Sequence, residues 1–328
     1  MRVLVTGASG FVGGWLAQTL VDHGHQVRVF VRDPKDVEDL RSLKVEVATG
    51  DITDIENVTT AAKNIDSVFH LAGVVAYARS EREHMENVNV RGTANILSAC
   101  KANRVRRLVH FSSVVTIGAS LSPHTVLNET SKYNLSHLNL GYFETKKKAE
   151  ELVLDAVRRG DVDAVCLNPS TIYGPGDEKK PSRGMQKRVA RGKLPFYTSG
   201  GVNVVSIEDV MHCAIKAWEM GRSGERYIIA GENLTIKKLF ENIAEIAEVK
   251  PPKIYLPNFF VKTLGRIGEL QASRGAKAFM NYENAVVATM YHWFDSSKAQ
   301  QAFQFKPKPA SYSLRQSIEW SRRNSPST

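Results

Sequence analysis

The stretch TGASGFVG, residues 6–13, separates an apolar run that begins at Val3 from a segment with helical apolar spacing that begins at Phe11. Its three glycines allow the backbone to turn tightly and a pyrophosphate to approach the N-terminus of the following helix. Val27–Val31 has the composition of a second strand, so strand, glycine loop, helix and strand fall within about 30 residues. This order predicts a dinucleotide-binding unit rather than a simple glycine-rich turn.

Outward from this unit, short apolar runs alternate with amphipathic stretches as far as about residue 170. Such alternation is typical of a parallel sheet covered by helices, and it predicts an α/β fold with a doubly wound parallel sheet. The further predicted strands are Val45–Val47, Val68–Leu71, Leu108–Phe111, Ala164–Leu167, Val202–Ser206 and Arg226–Ala230. The predicted helices are Phe11–Asp22, Val90–Lys101, Gly141–Arg158 and Glu208–Met220.

The pattern changes after Pro169, first to loops rich in glycine and proline and then to irregular helices. We therefore expect a Rossmann domain from residues 1–170 and about 202–232, and a smaller interleaved C-terminal substrate lobe from residues 171–201 and 233–321. Residues 322–328 have the composition of a disordered tail. The lobe also contains an apolar run that fits either a core helix or an apolar lip at a membrane surface: Phe259, Phe260, Val261 and Leu264.

The 328-residue chain is 42% hydrophobic and 24% charged, with a net charge of +10, which suits a globular protein with a large core. The charge is spread along the chain except for a basic stretch between Lys179 and Lys193. Because zinc-finger and RNP-like motifs are absent, we expect no nucleic-acid partner. The basic stretch fits either the solvated face of an amphipathic helix or the mouth of a cavity for an anionic substrate.

No apolar run is long enough to span a membrane, so we expect no transmembrane segment. The first strand begins at Val3, which leaves no room for a signal peptide and predicts a cytoplasmic protein. Cys100, Cys166 and Cys213 are scattered in apolar surroundings without metal-ligand spacing. They are therefore expected to be buried free thiols, and no metal site is predicted.

The end of the second strand indicates which dinucleotide binds. An acidic side chain there would bind the ribose 2′-hydroxyl of NAD, whereas a basic one accommodates the 2′-phosphate of NADP. Val31 stands at that position, and Arg32 follows it with a planar guanidinium that can grip phosphate. Arg32 and the nearby Lys35 favour NADP. Asp33 leaves NAD open as the alternative, because a small shift would bring its carboxylate to the ribose.

Reduction of a carbonyl needs a proton donor, and Tyr142 is the candidate. Among the ten tyrosines it alone has a lysine four residues later, Lys146, on the same face of the predicted helix. The lysine can lower the pKa of the tyrosine and hold the nicotinamide ribose. Ser113 ends a predicted strand and can hydrogen-bond the substrate oxygen as charge develops, while Ser112 would face the cofactor. The alternative for both serines is a capping role at the strand end.

These motifs and their order resemble those of the extended short-chain dehydrogenase/reductase superfamily, also described as the NAD-dependent epimerase/dehydratase family. Residues 31–34, VRDP, are similar to the dihydroflavonol-4-reductase-like branch, which uses NADP. The resemblance covers about residues 1–175 and runs through residues 6–13, Asp51-Ile52, His70–Gly73, Asn89–Thr93, Ser112-Ser113, Tyr142, Lys146 and Asn168–Pro175.

The resemblance implies a role for each matching residue. Ser113, Tyr142 and Lys146 would be catalytic, and the substrate would contact Ser113, Tyr142, Asn168 and Tyr173. Relatives commonly form a four-helix dimer interface, which implies a homodimer through the helices after Val90 and Gly141. The cofactor would contact Gly7, Gly10, Phe11, Val12, Gly13, Arg32, Lys35, Asp51, Ile52, Leu71, Ala72, Gly73, Asn89, Ser112, Tyr142, Lys146, Pro169 and Thr171.

The function expected from these features is NADPH-dependent reduction of a ketone or aldehyde, with hydride from the nicotinamide and a proton from Tyr142. A nucleotide-sugar epimerase or dehydratase with tightly bound NAD shares the three catalytic residues, although Val31 and Arg32 count against it. A third interpretation is a dinucleotide-binding sensor without chemistry. Relatives of that kind generally lose the tyrosine or the lysine, and this chain has both.

Overall fold

The computed structural model describes residues 1–177, 183–273 and 280–324. Its strands are β1 (Arg2–Thr6), β2 (Gln26–Val31), β3 (Glu46–Thr49), β4 (Ser67–His70), β5 (Arg107–Phe111), β6 (Ala164–Pro169), β7 (Thr171–Tyr173), β8 (Phe196–Thr198), β9 (Gly201–Ser206), β10 (Arg226–Ile229), β11 (Glu232–Thr235) and β12 (Ile254–Leu256). Its helices are α1 (Phe11–Asp22), α2 (Ile55–Ala61), α3 (Arg82–Met85), α4 (Gly92–Ala102), α5 (Gly141–Arg158), α6 (Arg183–Ala190), α7 (Ile207–Met220), α8 (Ile236–Ala247), α9 (Asn258–Ser273), α10 (Tyr282–Val287), α11 (Ser297–Phe303) and α12 (Ala310–Asn324).

Seven strands form a parallel sheet in the order β10-β6-β5-β4-β1-β2-β3. β1 pairs with β2 on one side and with β4 on the other, so the strand order reverses at β1. In sheets of this kind a ligand crevice opens at the carboxyl ends of the strands beside that reversal. Val3, Leu4 and Val5 are fully buried because both faces of the sheet are covered, which explains why β1 is apolar throughout.

Helices cover the two faces of this sheet and confirm the doubly wound α/β fold. On one face α1, α7 and α11 contribute Leu16, Val210 and other residues to a shared core. On the opposite face α2, α4 and α5 form a second core, to which α4 contributes Ile96 and α5 contributes Val153. Each of these helices therefore buries its apolar face against the sheet, away from water.

The other strands form two small sheets, ordered β11-β9-β7 and β12-β8. With α6, α8 and α12 they enclose a separate core that includes Tyr173, Val189 and Leu314. Residues 202–232, expected within the Rossmann domain, are divided between the two parts. β9 pairs with β7 and β11 in the small sheet, whereas β10 pairs with β6 in the large one.

The helix expected from Val90 begins earlier in the structure. α3 starts at Arg82, and a π-helical segment, Glu86–Arg91, joins it to α4. The π segment contains Asn89, whose side-chain amide donates to the hydroxyl of Thr145 on α5, 3.1 Å away. The residue pattern around Asn89 could not predict this π-helical segment, because Thr145, the hydrogen-bond partner of Asn89, lies 56 residues later in the chain.

The C-terminal helix also extends further than expected. α12 continues to Asn324, and the guanidinium of Arg322 donates to the carbonyl of Ala247 at the end of α8, 2.8 Å away. Lys179, Lys180 and residues 325–328 lie outside the described residues. In the part of the chain that is described, none of the helices is both long enough and apolar enough to cross a lipid bilayer.

Candidate active site

The loop between β1 and α1 forms a cradle that is lined by backbone atoms, because glycines occupy its tightest positions. Gly7 has a φ of +75°, and a Cβ at this position would lie 2.7 Å from the backbone nitrogen of Ala72. A Cβ at Gly13 would lie 2.1 Å from the carbonyl oxygen of Gly7. Both positions therefore require glycine, because any side chain would collide with backbone.

The N-terminus of α1 is suited to an anion. Gly10 is its N-cap residue, no side chain of the described residues caps this end, and the first turn contains no acidic residue. Backbone N–H groups and the positive end of the helix dipole are left to face a ligand there. The cradle and the helix end together fit the pyrophosphate of a dinucleotide, which Gly7, Gly10 and Gly13 would hold by close backbone approach.

The end of β2 carries the cation Arg32 and the carboxylate of Asp33, both exposed. Arg32 is exposed beside the sheet edge. The carboxylate of Asp33 accepts a hydrogen bond of 2.9 Å from the backbone N–H of Lys35, in its own turn. Hydrogen bonds from Thr53 lower the pKa of Asp51, and the charge of Arg32 lowers it further. Arg32 and Asp51 therefore lie near each other at the expected adenosine end of the crevice.

The segment after β4 lies directly beside the glycine loop. The hydroxyl of Thr6 accepts hydrogen bonds of 3.2 Å from the backbone N–H groups of Leu71 and Ala72. Ile52 is buried, and its side chain lies 3.1 Å from where a Cβ of Gly92 would stand. These contacts fix the wall of the crevice that the sequence assigns to the adenosine moiety.

Asn89 orders the loop that follows Gly73. Its side-chain oxygen accepts from the backbone N–H of Val74 at 2.7 Å, and its side-chain nitrogen donates to the carbonyl of Val74 at 3.0 Å. The same nitrogen donates to Thr145, one residue before Lys146. Asn89 thus ties the cofactor wall to the helix that carries the candidate catalytic residues.

Ser113, Tyr142 and Lys146 converge at the carboxyl edge of β5. Ser113 follows that strand, and its hydroxyl accepts a capping hydrogen bond of 3.4 Å from the backbone N–H of Val115. Tyr142 lies in the first turn of α5, close enough to the Ser113 side chain for that hydroxyl to lower its pKa. Lys146 lies one turn further along, and its ammonium donates to the carbonyl oxygen of Phe111 at 2.8 Å. The three residues that sequence spacing singled out are brought together at one place.

The acid–base properties differ from the expectation that Lys146 lowers the pKa of Tyr142. Burial raises the pKa of Tyr142, and the nearby Ser113 hydroxyl opposes this shift. Burial lowers the pKa of Lys146 to about 8, and the negative charge of Glu150 acts in the opposite direction. Because the ammonium of Lys146 is directed to the Phe111 carbonyl, it contributes less to the phenol than helical spacing alone suggested.

A row of buried polar residues crosses the sheet beneath Lys146. His70 on β4 and His110 on β5 are register partners. His70 Nδ1 lies 2.8 Å from the Thr6 hydroxyl, and Nε2 lies 3.0 Å from the hydroxyl of Thr93. The Thr93 hydroxyl donates to a backbone carbonyl, so it accepts from Nε2–H, and Nδ1 then accepts from Thr6. Burial lowers the pKa of His70 to about 3.

Unlike His70, His110 and Ser112 have side chains without a hydrogen-bond partner among the described residues. Both ring nitrogens of His110 and the hydroxyl oxygen of Ser112 are buried without a hydrogen bond among the described residues. Burial and the charge of Lys146 hold the pKa of His110 well below its usual value. Ser112 immediately precedes Ser113, so its hydroxyl is a buried polar group beside the expected nicotinamide site.

Asn168 belongs to a buried network around Glu150. Its side-chain nitrogen donates to the carbonyl of Ser113 at 3.1 Å and to the hydroxyl of Thr116 at 2.9 Å. It also donates to the Glu150 carboxylate at 2.5 Å. That carboxylate forms an ion pair of 3.2 Å with Arg226. Asn168 therefore holds the backbone of the loop that carries Ser113.

Tyr173 lies in the core of the C-terminal lobe rather than beside Tyr142. It lines a cavity of about 230 Å³ together with Arg183, Lys187 and Arg191 from the basic stretch. Arg183 is buried, forms a 2.6 Å ion pair with Asp177 and lies over the Tyr173 ring. The lining of this cavity includes none of the three candidate catalytic residues. Pro169 and Thr171 connect this lobe to the end of β6.

Several side chains at the site were not found by sequence reasoning. The ring of Tyr77 lies 6.2 Å from that of Tyr142. Glu283 on α10 accepts from the backbone N–H of Gly141, at the start of α5, and from the guanidinium of Arg82 at 2.8 Å. A carboxylate at a helix N-terminus stabilises that helix. No local motif marks these residues, because each acts on a residue distant in sequence.

Comparison with known proteins places this geometry in a family. Residues 4–233 match the 3-beta hydroxysteroid dehydrogenase/isomerase family. Sterol demethylase protein B of Methylococcus capsulatus is 31% identical over 259 residues, which are 78% of this chain and 78% of that protein. The 2-alkyl-3-oxoalkanoate reductase of Stenotrophomonas maltophilia is 29% identical and covers 94% of this chain and 95% of its own length. The dihydroflavonol 4-reductase of Gerbera hybrida is 27% identical over 79% of this chain and 75% of that protein.

Solved structures share the whole fold. The crystal structure of gox2253 has a TM-score of 0.85 and 32% identity, and 98% of each chain is covered. The UDP-glucose 4-epimerase of Thermus thermophilus, in complex with NAD, has a TM-score of 0.78 at 20% identity over 99% of this chain and 100% of its own. The second likeness concerns the fold alone. The chain belongs to the 3-beta hydroxysteroid dehydrogenase/isomerase family, and it is an NAD(P)-dependent enzyme of the extended short-chain dehydrogenase/reductase type.

Proposed function

We propose that this enzyme reduces a ketone or aldehyde with NADPH. The observation that carries the proposal is that Ser113, Tyr142 and Lys146 meet at the carboxyl end of β5, with Lys146 one helical turn after Tyr142. A tyrosine whose pKa is raised by burial is a phenol at neutral pH, which is the form that donates a proton. Reduction of a carbonyl consumes that proton.

Each residue has a distinct task in this reaction. NADPH, when bound, supplies the hydride. Ser113 donates a hydrogen bond to the carbonyl oxygen of the substrate, where negative charge develops. Tyr142 donates its phenolic proton to the same oxygen, and Lys146 would hold the nicotinamide ribose and stabilise the resulting phenolate. The Glu150 network keeps the Ser113 loop in place while these groups act.

The preference for NADPH rests on the end of β2. Arg32 is exposed there, where a 2′-phosphate would lie, and the Asp33 carboxylate already accepts a hydrogen bond from the backbone of Lys35. A guanidinium binds phosphate with charge-assisted hydrogen bonds. The exposed guanidinium of Arg32 therefore favours a 2′-phosphate at this position over an unphosphorylated ribose.

Arg32→Ala tests this preference. Removing a charge-assisted hydrogen bond should weaken NADPH binding by about 1–3 kcal/mol and leave NADH binding nearly unchanged. Titration of both cofactors by fluorescence measures the two affinities in each protein. Equal affinities for NADPH and NADH in the unmodified enzyme would favour Asp33 as a ribose ligand and NAD as the cofactor.

The surroundings of Tyr142 include apolar and aromatic side chains, which supports a substrate with a hydrophobic body. The ring centroids of Tyr77 and Tyr142 are 6.2 Å apart, and Leu138, Tyr282 and Val287 pack against the same apolar core as Tyr142. The names of the relatives include a 2-alkyl-3-oxoalkanoate reductase and a dihydroflavonol 4-reductase. We therefore propose carbonyl compounds with an alkyl or aromatic ring system next to the reacting group.

A panel of such compounds tests the function. Alkyl and aryl ketones and aldehydes are supplied with NADPH or NADH, and oxidation of the cofactor is followed by absorbance. Activity should appear with NADPH on at least one bulky apolar carbonyl compound and should be absent with UDP-sugars. Turnover of a UDP-sugar with NAD, and none of the carbonyl compounds, would replace the reductase by an epimerase or dehydratase.

A further inference from the structure

Helix α9 buries one face and exposes an apolar face on the other side. Val261 is fully buried, and a Cβ at Gly265 would lie 2.6 Å from the Ala285 side chain of α10. The exposed side chains lie at helical spacing along the outer face, with exposed fractions of 74% for Phe259, 56% for Phe260, 45% for Leu264, 49% for Ile267 and 53% for Leu270. A plain core helix would bury such residues, so this segment is not one.

Further exposed apolar side chains precede α9 in the chain, on β12. Ile254 and Tyr255 on β12 are 60% and 49% exposed. Seven of the fifteen large hydrophobic side chains that are exposed among the described residues lie between residues 254 and 270. The others are scattered singly, as is usual on a protein surface. A concentration of exposed apolar side chains in one segment is instead typical of an interaction site.

Positive charge surrounds this surface. Residues 250–271 contain four cationic side chains and one carboxylate. The carboxylate, Glu269, is already in a 2.7 Å ion pair with Arg79. The cations are Lys250, Lys253, Lys262 and Arg266. A helix with an apolar face and flanking lysine and arginine is the pattern of segments that lie in the interface of a bilayer with anionic lipids.

The same helix borders the active site. The Arg79–Glu269 ion pair connects α9 to the segment that follows Tyr77, and the Tyr77 ring lies 6.2 Å from Tyr142. On its buried side α9 packs against α10, whose Tyr282 packs against the same apolar core as Tyr142. A surface that bound α9 would therefore lie beside the entrance to the catalytic residues.

We propose that α9 and β12 form a docking surface for an anionic lipid bilayer, with the apolar face inserted at the level of the headgroups. A second copy of the chain fits this surface less well, because two cationic rims would repel each other, whereas anionic headgroups complement them. The docking does not depend on the reaction proposed above. Its consequence is that a substrate dissolved in the bilayer reaches Tyr142 without crossing bulk water.

Vesicle flotation of the NADP-loaded protein tests the docking. Vesicles of phosphatidylcholine alone are compared with vesicles containing about 30% phosphatidylglycerol, at low and at physiological salt. The unmodified protein should float with the anionic vesicles. Phe260→Ser combined with Ile267→Ser should lower partitioning by about tenfold or more, because two large apolar groups no longer leave water. Leu121→Ser combined with Met220→Ser is the matched control, since both residues are exposed elsewhere and should have no effect.

Charge variants separate the two contributions. Lys262→Gln combined with Arg266→Gln should lower partitioning by about 30-fold on anionic vesicles only, and added salt should diminish that difference. Phe260→Trp should give an emission spectrum that shifts to shorter wavelength when anionic vesicles are added, whereas Tyr312→Trp should not. Both readouts are independent of activity, so failure of the proposed reductase would leave this result intact.

Three outcomes would overturn the proposal. The first is unmodified protein that fails to float with anionic vesicles. The second is a Phe260→Ser, Ile267→Ser protein that floats as well as the unmodified one. The third is a dimer in sedimentation velocity, without vesicles, that the same double variant dissociates; the surface would then be an interface between two copies of the chain.

Discussion

At Tyr142, burial and the nearby Ser113 hydroxyl act on the pKa of the same phenol in opposite directions. Burial raises the pKa and the Ser113 hydroxyl opposes the shift, with burial the larger effect. The sequence predicted the residue and its two companions, because a tyrosine and a lysine four residues apart share one helix face. It could not predict the net direction of the pKa shift, which depends on the tertiary packing around the ring.

Removal of the phenolic proton is the first residue-scale prediction. Tyr142→Phe keeps the ring, so cofactor binding should survive while turnover falls by about two to four orders of magnitude. Steady-state rates and a cofactor titration on the same preparation measure both quantities. Tyr312→Phe removes an exposed phenol on α12 and serves as the control. Near-normal turnover in Tyr142→Phe would remove this residue from the mechanism.

The pH dependence of cofactor binding follows from Lys146. Its pKa is lowered to about 8, so the ammonium that would hold the ribose is present below that pH and is lost as the pH rises through it. NADPH affinity should therefore decline between about pH 7 and 9 in the unmodified enzyme. In Lys146→Met, affinity should be lower throughout and should lack that decline. A decline of the same size in the variant would assign it to another group.

At the scale of elements, the glycine loop could be predicted and the lobe could not. Strand, loop and helix follow one another within the first 31 residues, so local spacing carries the information. β9 has the composition of any buried strand, but its partners are β7 and β11, and no local signal selects them over the central sheet. The network of Glu150 with Asn168 and Thr116 likewise joins segments that are distant in sequence.

Neighbouring glycines in α1 provide an element-scale test. A Cβ at Gly13 would lie 2.1 Å from a backbone oxygen, whereas a Cβ at Gly14 would lie 3.5 Å from the nearest atom, which is ordinary contact. Gly13→Ala should therefore abolish NADPH binding or destabilise the fold. Gly14→Ala should bind NADPH normally and raise the free energy of unfolding by about 0.5–1 kcal/mol. Fluorescence titration and urea unfolding measure the two, and equal behaviour of both variants would contradict the close packing of the cradle.

At the scale of the whole molecule, the two buried histidines couple folding to pH. Burial lowers the pKa of His70 to about 3 and that of His110 well below its usual value, whereas both would titrate near 6.5 when unfolded. As the pH falls below about 6.5, the unfolded chain takes up protons that the folded one does not. Stability is therefore fully present above that pH and is lost progressively on acidification.

Urea unfolding between pH 6 and pH 5 measures this coupling. Each histidine should lower the free energy of unfolding by up to about 1.4 kcal/mol per pH unit in that range. His110→Leu should reduce the slope by about one such contribution. His124→Gln changes an exposed histidine and should leave the slope as it is. The same slope in His110→Leu as in the unmodified protein would mean that His110 is not buried in its neutral form.

The mole balance between cofactor and substrate tests the proposed reductase most directly. The enzyme is mixed with a limiting amount of NADPH and an excess of a carbonyl compound that it accepts, and both the oxidised cofactor and the alcohol are quantified at completion. One alcohol should form for each NADPH consumed, and Tyr142→Phe should give neither within the same time. Substrate converted in large excess over NADPH, with no net oxidation of the cofactor, would contradict the reductase and would indicate an enzyme that regenerates its cofactor within each turnover.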